Sequence, residues 1–525
     1  MPNSTGTSWQ PSQRLILRSR EWDNPGSGAL FCSRGMITGL PSGNFFAHPY
    51  VGIATKRVTR CFVEAPRSLR GFAERRPGDG LTSSLGKRNT AERWAEWPWP
   101  CRQSGGRSGG FGRLDGHELL ILLVFLITYA FIAIQRLPGI RIDRPSGVTV
   151  GSTLLLLTGL INLEEAYSFI DWHVITFLLG MMVMVAYLEF AGFFEYTAAY
   201  LVKLAPNGVA LLAATLVASA VFSALFVNDT VCLLFTPVLL RATSLYGLNP
   251  IPYLIAIATG SNIGSALTVI GNPQNMYIGI QSRLPFLRFS AVMFVPVAVG
   301  LALDYAILRL VYRDQITSKA FESSHWKPPR LKKTLTVKTL AALGLTLLLF
   351  IAGVPYPLAA LLGACLILVL GYVPPRYVLK DVDWTVLLFF AGLFVVMGAF
   401  RKAGYMDQFV ALTARYVAKD GLLEYLGLGF VVALLSNLVS NVPAVILMQP
   451  VFLRYGDGLQ PWMLLAMSST FAGNVTLLGS VANLLVAERA QAKRVHLGFL
   501  EYLKVGLPLS LLTIAFGGLW LWLLR

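Results

Sequence analysis

The chain has 525 residues, of which 55% are hydrophobic and only 14% charged, with a mean hydropathy of +0.60. That balance excludes a soluble globular domain and points to an all-α polytopic membrane protein. The formal charge of +17 does not point to nucleic acid, because 17 of the 44 Lys and Arg lie in residues 1–113 and most of the rest lie in loops, where they report topology.

Residues 1–113 are rich in Gly, Pro, Ser, Arg and Trp and lack both sustained periodicity and the apolar core of a signal peptide. They read as a basic extension, disordered or preceding the true start. From about residue 118 onward, apolar runs long enough to cross roughly 30 Å of hydrocarbon alternate with short polar loops. Ten such spans are expected, with two further apolar pairs too broken to be simple crossings. They divide into a first membrane repeat over 114–312, a basic loop over 313–338 and a second repeat over 339–525. The loop holds seven basic residues against Asp314 and Glu322, which puts it in the cytoplasm. Counting outward from it, 19 of the 27 Lys and Arg after residue 113 fall on the cytoplasmic side. A multi-pass protein of a bacterial inner membrane is expected, with the lipid bilayer as its surroundings and no nucleic-acid partner. The five cysteines, Cys32, Cys61, Cys101, Cys232 and Cys365, have no spacing that reads as a disulfide framework or a metal site.

Within the membrane region three anchors recur in order. Asp171-Trp172, Gly180 and Ala191-Gly192 return as Asp383-Trp384, Gly392 and Ala403-Gly404, at an offset of 212. Asn228-Asp229, Pro237 and Leu240-Arg241 return as Asn441-Val442, Pro450 and Leu453-Arg454, at an offset of 213. Thr268, Gly271 and Asn275 return as Thr476, Gly479 and Asn483, at an offset of 208. The span opening at Trp172 runs inward and that at Trp384 outward, so the repeats are inverted, as in many secondary transporters.

Each repeat is interrupted twice. The first break, at Asn228-Asp229-Thr230 and at Ser440-Asn441, predicts a re-entrant hairpin whose tip carries polar residues, with Ser223 and Ser436 each five residues before the tip asparagine. The second predicts broken helices, with Asn262, Thr268, Gly271, Asn272 and Asn275 in one repeat and Thr476, Gly479, Ser480 and Asn483 in the other. Helix ends inside the membrane offer N–H groups to an anion and carbonyls to a cation, so these sixteen residues are the candidate substrate and ion site. Asp229, Glu189 and Asp304 are the intramembrane ionisable groups. Asp229 is placed to exchange a coupling proton or to face sodium, whereas Glu189 and Asp304, near span ends, are expected to reach interfacial water. Cys232 reads as packing.

The Asn-Asp hairpin, the Gly271-Asn272-Pro273-Gln274-Asn275 break and the Asp-Trp spans resemble the ion transporter superfamily, in particular its arsenite permease and sodium/proton antiporter branch, with citrate-transporter-like anion permeases alongside. The resemblance covers about residues 117–525. It implies two inverted repeats and no resident cofactor. It also implies a tendency to form a homodimer and, as for some arsenite permeases, an external ATPase subunit. The dicarboxylate branch uses Ser-Asn-Thr at each tip; here the first tip lacks the serine and neither has the threonine in place. The Gly-Asp-Pro-Pro-Asn of the arsenite branch becomes Gly-Asn-Pro-Gln-Asn, which removes a carboxylate and favours an anion over a cation. The expected function is alternating-access transport of a small ion or anion such as arsenite. The alternatives are sodium/proton antiport and sodium- or proton-coupled di- or tricarboxylate transport. A channel would use similar re-entrant loops around a continuous pore. An enzyme would need a catalytic constellation that the scattered histidines do not supply.

Overall fold

The computed structural model describes residues 116–133, 143–321, 329–416, 421–454 and 458–524. The extension expected over 1–113 and the middle of the 313–338 loop lie outside them. The described residues fold into α-helices without a β-strand. The first ten helices are α1 (Gly116–Ala133), α2 (Arg144–Leu157), α3 (Leu163–Phe169), α4 (Trp172–Phe190), α5 (Phe193–Leu204), α6 (Gly208–Leu225), α7 (Asn228–Leu245), α8 (Ile251–Ser265), α9 (Pro273–Ser282) and α10 (Phe286–Val311). The next ten follow the same order: α11 (Lys333–Ile351), α12 (Tyr356–Leu370), α13 (Pro375–Val378), α14 (Trp384–Lys402), α15 (Tyr405–Tyr416), α16 (Leu422–Val439), α17 (Asn441–Leu453), α18 (Leu459–Ala472), α19 (Val481–Ala492) and α20 (Phe499–Leu523).

Local chemistry repeats with the fold. Asp171 and Asp383 each accept two backbone N–H groups at the start of α4 and α14, the N-cap arrangement that satisfies the unpaired donors of a helix start. After α6 the two-residue turn Phe226-Val227 leads into α7 at Asn228, and after α16 the single residue Ser440 leads into α17 at Asn441. The chain folds back there, since Phe222 of α6 lies 5.3 Å from Phe235 of α7, far closer than a continuous helix would allow. The breaks between α8 and α9 and between α18 and α19 are non-helical stretches inside the bundle.

Eight helices are long and apolar enough to cross a membrane, or nine if the bent pair over 356–381 counts as one span. The expectation of about ten differs because α2 and α12 have only 14 and 15 residues. These two hold the repeats together, with α2 packed on α14 and α12 packed on α4. A Cβ on Gly180 would lie 2.7 Å from the backbone of Ala360, and one on Gly392 would lie 3.0 Å from the Val148 side chain and 3.2 Å from its backbone. Small residues at matched positions thus let the helices of opposite repeats approach closely.

Chain ends sort onto two faces. The Ala191 carbonyl accepts from Lys332 N–H, Asn207 bridges to Ala320, Tyr312 bonds Glu501, and Lys338 bonds the Leu370 carbonyl. The ends of α4, α10 and α12 and the starts of α6, α11 and α20 therefore share the face of the basic loop. The hairpin α6–α7 enters from that face, and its mate α16–α17 from the opposite one. Glu189 is half-buried near the end of α4. Asp304, expected at interfacial water, is instead fully buried seven residues before the end of α10, because α8 and α20 pack against α10 there.

Candidate functional site

Four helices begin at the two breaks of each repeat: α7, α9, α17 and α19. Their first residues converge with the starts of α2 and α14 on a cavity of about 820 Å³. Its lining includes Arg144, Asn228, Asp229, Gln274, Asp383, Ser440, Asn441, Ser480 and Glu488. Helix N-termini present N–H groups without intrahelical partners, so the cavity is bordered by backbone donors from six helices.

Asp229 carries the charge at the first tip. Its carboxylate faces the first turn of α19, so a charged side chain of one repeat stands at the start of a helix of the other. The Arg144 guanidinium is within electrostatic reach of it. Asp143 caps α2 beside the cavity, and the hydrogen bonds from Ser146 hold its carboxyl below the ordinary range. The lining holds four carboxylates, Asp143, Asp229, Asp383 and Glu488, and one guanidinium, Arg144. That balance runs against the expectation, drawn from the missing carboxylate at the second break, that the site is poor in negative charge.

Behind the cavity lies a zipper of amides. Asn262 of α8 receives Asn228 Nδ2 at 3.2 Å and Ser480 Oγ at 3.1 Å, and it donates to Asn474 at 2.8 Å and Asn483 at 2.9 Å. Thr470, which stands at the matching place in α18, bonds Asn272 at 3.2 Å and Asn275 at 3.5 Å. Each break is bridged identically: Asn275 donates to the carbonyls of Ser265 and Thr268, and Asn483 to those of Gly473 and Thr476. These amides replace the helical bonds lost at the break, which buried carbonyls require.

Of the sixteen candidate residues, Asn228, Asp229, Ser440, Asn441 and Ser480 line the cavity. Asn262, Asn272, Asn275 and Asn483 stand behind it in the zipper. Thr268 donates to the Ala224 carbonyl and Thr476 to Asn437, tying each break to a hairpin arm. Gly271 accepts the Asn228 N–H at 3.1 Å, and Gly479 packs against Asn437. Ser223 pairs with Ser261 at 2.7 Å rather than facing the cavity, Ser436 is buried without a partner, and Thr230 lies beside the cavity lining. Arg144, Asp383 and Glu488 were missed among the candidates. Asp383 is visible in the sequence as a repeat anchor, whereas no motif singles out Arg144 or Glu488. Cys232 is fully buried on α7, near the Ile257 carbonyl, as packing predicts.

On the opposite face the matched positions are packed shut. Gln281 donates to Asp171 at 2.7 Å, Tyr277 bonds Gln449, Gln449 donates to Gln281 at 3.5 Å, and Tyr356 donates to the Leu284 carbonyl at 2.5 Å. Phe177 stacks on Tyr356 beneath them.

This architecture has relatives of known naming. A 46 kDa membrane protein of Mycobacterium leprae is 29% identical over 77% of this chain and 98% of its own length. A silicon efflux transporter of Oryza sativa subsp. japonica is 27% identical over 75% of this chain and 96% of its own. A protein named as the transporter arsB, of Dictyostelium discoideum, is 26% identical over 76% of this chain and 90% of its own. The family model described as citrate transporter matches residues 129–472, which include both hairpins, the first broken helix and the α8–α18 part of the amide zipper. With the inverted repeats, the match makes this multi-pass membrane protein a member of the citrate transporter family.

Proposed function

We propose that the protein is a secondary active transporter of a bacterial inner membrane that moves a small inorganic acid or its anion, with arsenite as the type case, by alternating access. The observation that carries this reading is Asp229, a carboxylate at a mid-membrane hairpin tip that faces a polar cavity within electrostatic reach of Arg144 and beside the start of α19. A group so placed can take up a proton on one side and release it on the other as the tip changes exposure. The basic-loop face is cytoplasmic by the distribution of Lys and Arg, so the cavity opens inward while the outer face is closed.

Charge bears on the substrate. Four carboxylates against one guanidinium disfavour a multiply charged anion, whereas arsenite, uncharged near neutral pH, needs only hydrogen-bonding groups. Asn228, Ser440, Asn441 and Ser480 supply these beside the helix N-termini. The names of two relatives, a silicon efflux transporter and arsB, agree with a small inorganic cargo. A second reading, transport of a di- or tricarboxylate, is favoured by Arg144 and by the family's description. The excess of carboxylates equally suits sodium/proton exchange.

The test is uptake into proteoliposomes containing the full chain, with arsenite, citrate and sodium offered in turn across an imposed pH gradient. Arsenite accumulation that collapses when the gradient is removed, and in Asp229→Asn, supports the reading. Gradient-driven citrate uptake without arsenite uptake selects the second reading, and normal coupling in Asp229→Asn removes the proton role from the tip.

A further inference from the structure

The two faces are built from matched residues, and the pair that is bonded at one face, Asp171 with Gln281, has mates at the other, Asp383 and Arg489, that form no ion pair with each other. At the closed face, Asp171 uses one carboxylate oxygen to cap α4 and the other to accept Gln281. Its mate across the repeat is Asp383, 212 residues later, whose Oδ1 caps α14 in the same way while the described residues give Oδ2 no hydrogen-bond donor. Gln281 maps onto Arg489 at the 208 offset that relates α9 to α19. Tyr356 maps onto Arg144 and its acceptor Leu284 onto Ala492. Asp383 and Arg489 are both exposed on the basic-loop face, and neither takes part in an ion pair within 4.0 Å among the described residues. Arg489 instead lies within electrostatic reach of Glu189, and Arg144 borders the open cavity.

When an inverted-repeat transporter switches, each repeat takes up the arrangement the other has left, so contacts at the closed face are re-formed by the mates at the face that closes. We propose that the basic-loop face closes on an ion pair between Asp383 and Arg489, with the Arg144 guanidinium donating to the Ala492 carbonyl as Tyr356 does to Leu284. This rests on the alternating-access reading above. The replacement of Gln281 by Arg489 makes the two gates chemically unlike: a hydrogen bond from an uncharged amide to a carboxylate closes the outer face and a solvent-accessible ion pair the inner one. Salt screens exposed pairs, so ionic strength on the basic-loop side shifts the balance toward the state with the cavity open.

The test places cysteines at 383 and 489 in the full chain, with Cys32, Cys61, Cys101 and Cys365 replaced by Ser, and applies a thiol oxidant to proteoliposomes. A separate Gln281→Cys protein reports opening of the opposite face through labelling by an impermeant maleimide. The expected result is a 383–489 crosslink that forms under the conditions that label position 281 and stops transport until it is reduced. Labelling at 281 without the crosslink overturns the gate while leaving alternating access standing. Transport with position 281 never labelled overturns both. Because Asp383 also caps α14, Arg489 is varied alone as a check on folding. Arg489→Gln, which recreates the outer pairing, is expected to transport within about twofold of the native rate and lose its salt dependence. Arg489→Glu is expected to slow turnover at least tenfold, and a native rate in Arg489→Glu overturns the proposal.

Discussion

The two hairpin tips occupy matched places and are made differently. The first is tied down: Asn228 donates its N–H to Gly271 and its amide to Asn262, and it accepts the Ser261 hydroxyl at its carbonyl. It also carries the charge, Asp229. The second is loose and uncharged. Ser440 has φ +77° and ψ 158°, a region adopted almost only by glycine, while Asn441 Oδ1 and Ser436 Oγ are buried without partners. A symmetric architecture thus divides the work: one tip holds a carboxylate facing the cavity, and the other keeps backbone strain and unspent hydrogen-bonding capacity beside the same cavity.

The sharpest way to break the comparison is to remove the charge. Asp229→Asn keeps the shape of the first tip and is expected to cut proton-driven accumulation at least about 100-fold, measured as the steady-state substrate ratio in proteoliposomes. Unanchoring that tip comes next. Asn262→Ala leaves buried amides at 228, 474 and 483 without their partner, at about 1–3 kcal/mol for each unsatisfied group, and is expected to lower the thermal midpoint of the purified protein by several degrees. Ser440→Gly relieves the backbone of the second tip and is expected to stabilise the protein by about 1 kcal/mol. If it destabilises instead, Ser440 has contacts that outweigh its strain. Ser436→Ala should change stability by less than about 0.5 kcal/mol, since its hydroxyl makes no bond to lose, and a larger loss would mean that the second tip is anchored after all.

Much of this division was legible in the residues. The offsets of 212, 213 and 208 located both hairpins and both broken helices, because a polar or Gly-Pro interruption inside an apolar run cannot be a plain crossing. Asn275 and Asn483 stand out in the sequence as amides at a break and are assigned there to substrate or ion; in the structure they bond the backbone carbonyls of the break rather than line the cavity. Arg144 was not legible, since its role depends on α2 crossing to α14 of the other repeat. Such crossings depend on Gly392 and Val148, small or slender residues that carry no local signature of which helix they will meet. Asp304 failed for a similar reason: distance to the helix end suggested access to water, and the packing of α8 and α20 against α10 removed it.

The central claim is that the second tip faces the basic-loop side in this structure and the opposite side later in the same cycle. Asn441→Cys, in the full chain with Cys32, Cys61, Cys101 and Cys365 replaced by Ser, can be labelled with an impermeant maleimide applied to one face at a time while the protein transports. The account predicts labelling from the basic-loop side at rest and from the opposite side once a driving gradient is imposed. Labelling from the basic-loop side alone under every gradient, with transport undiminished, would contradict it.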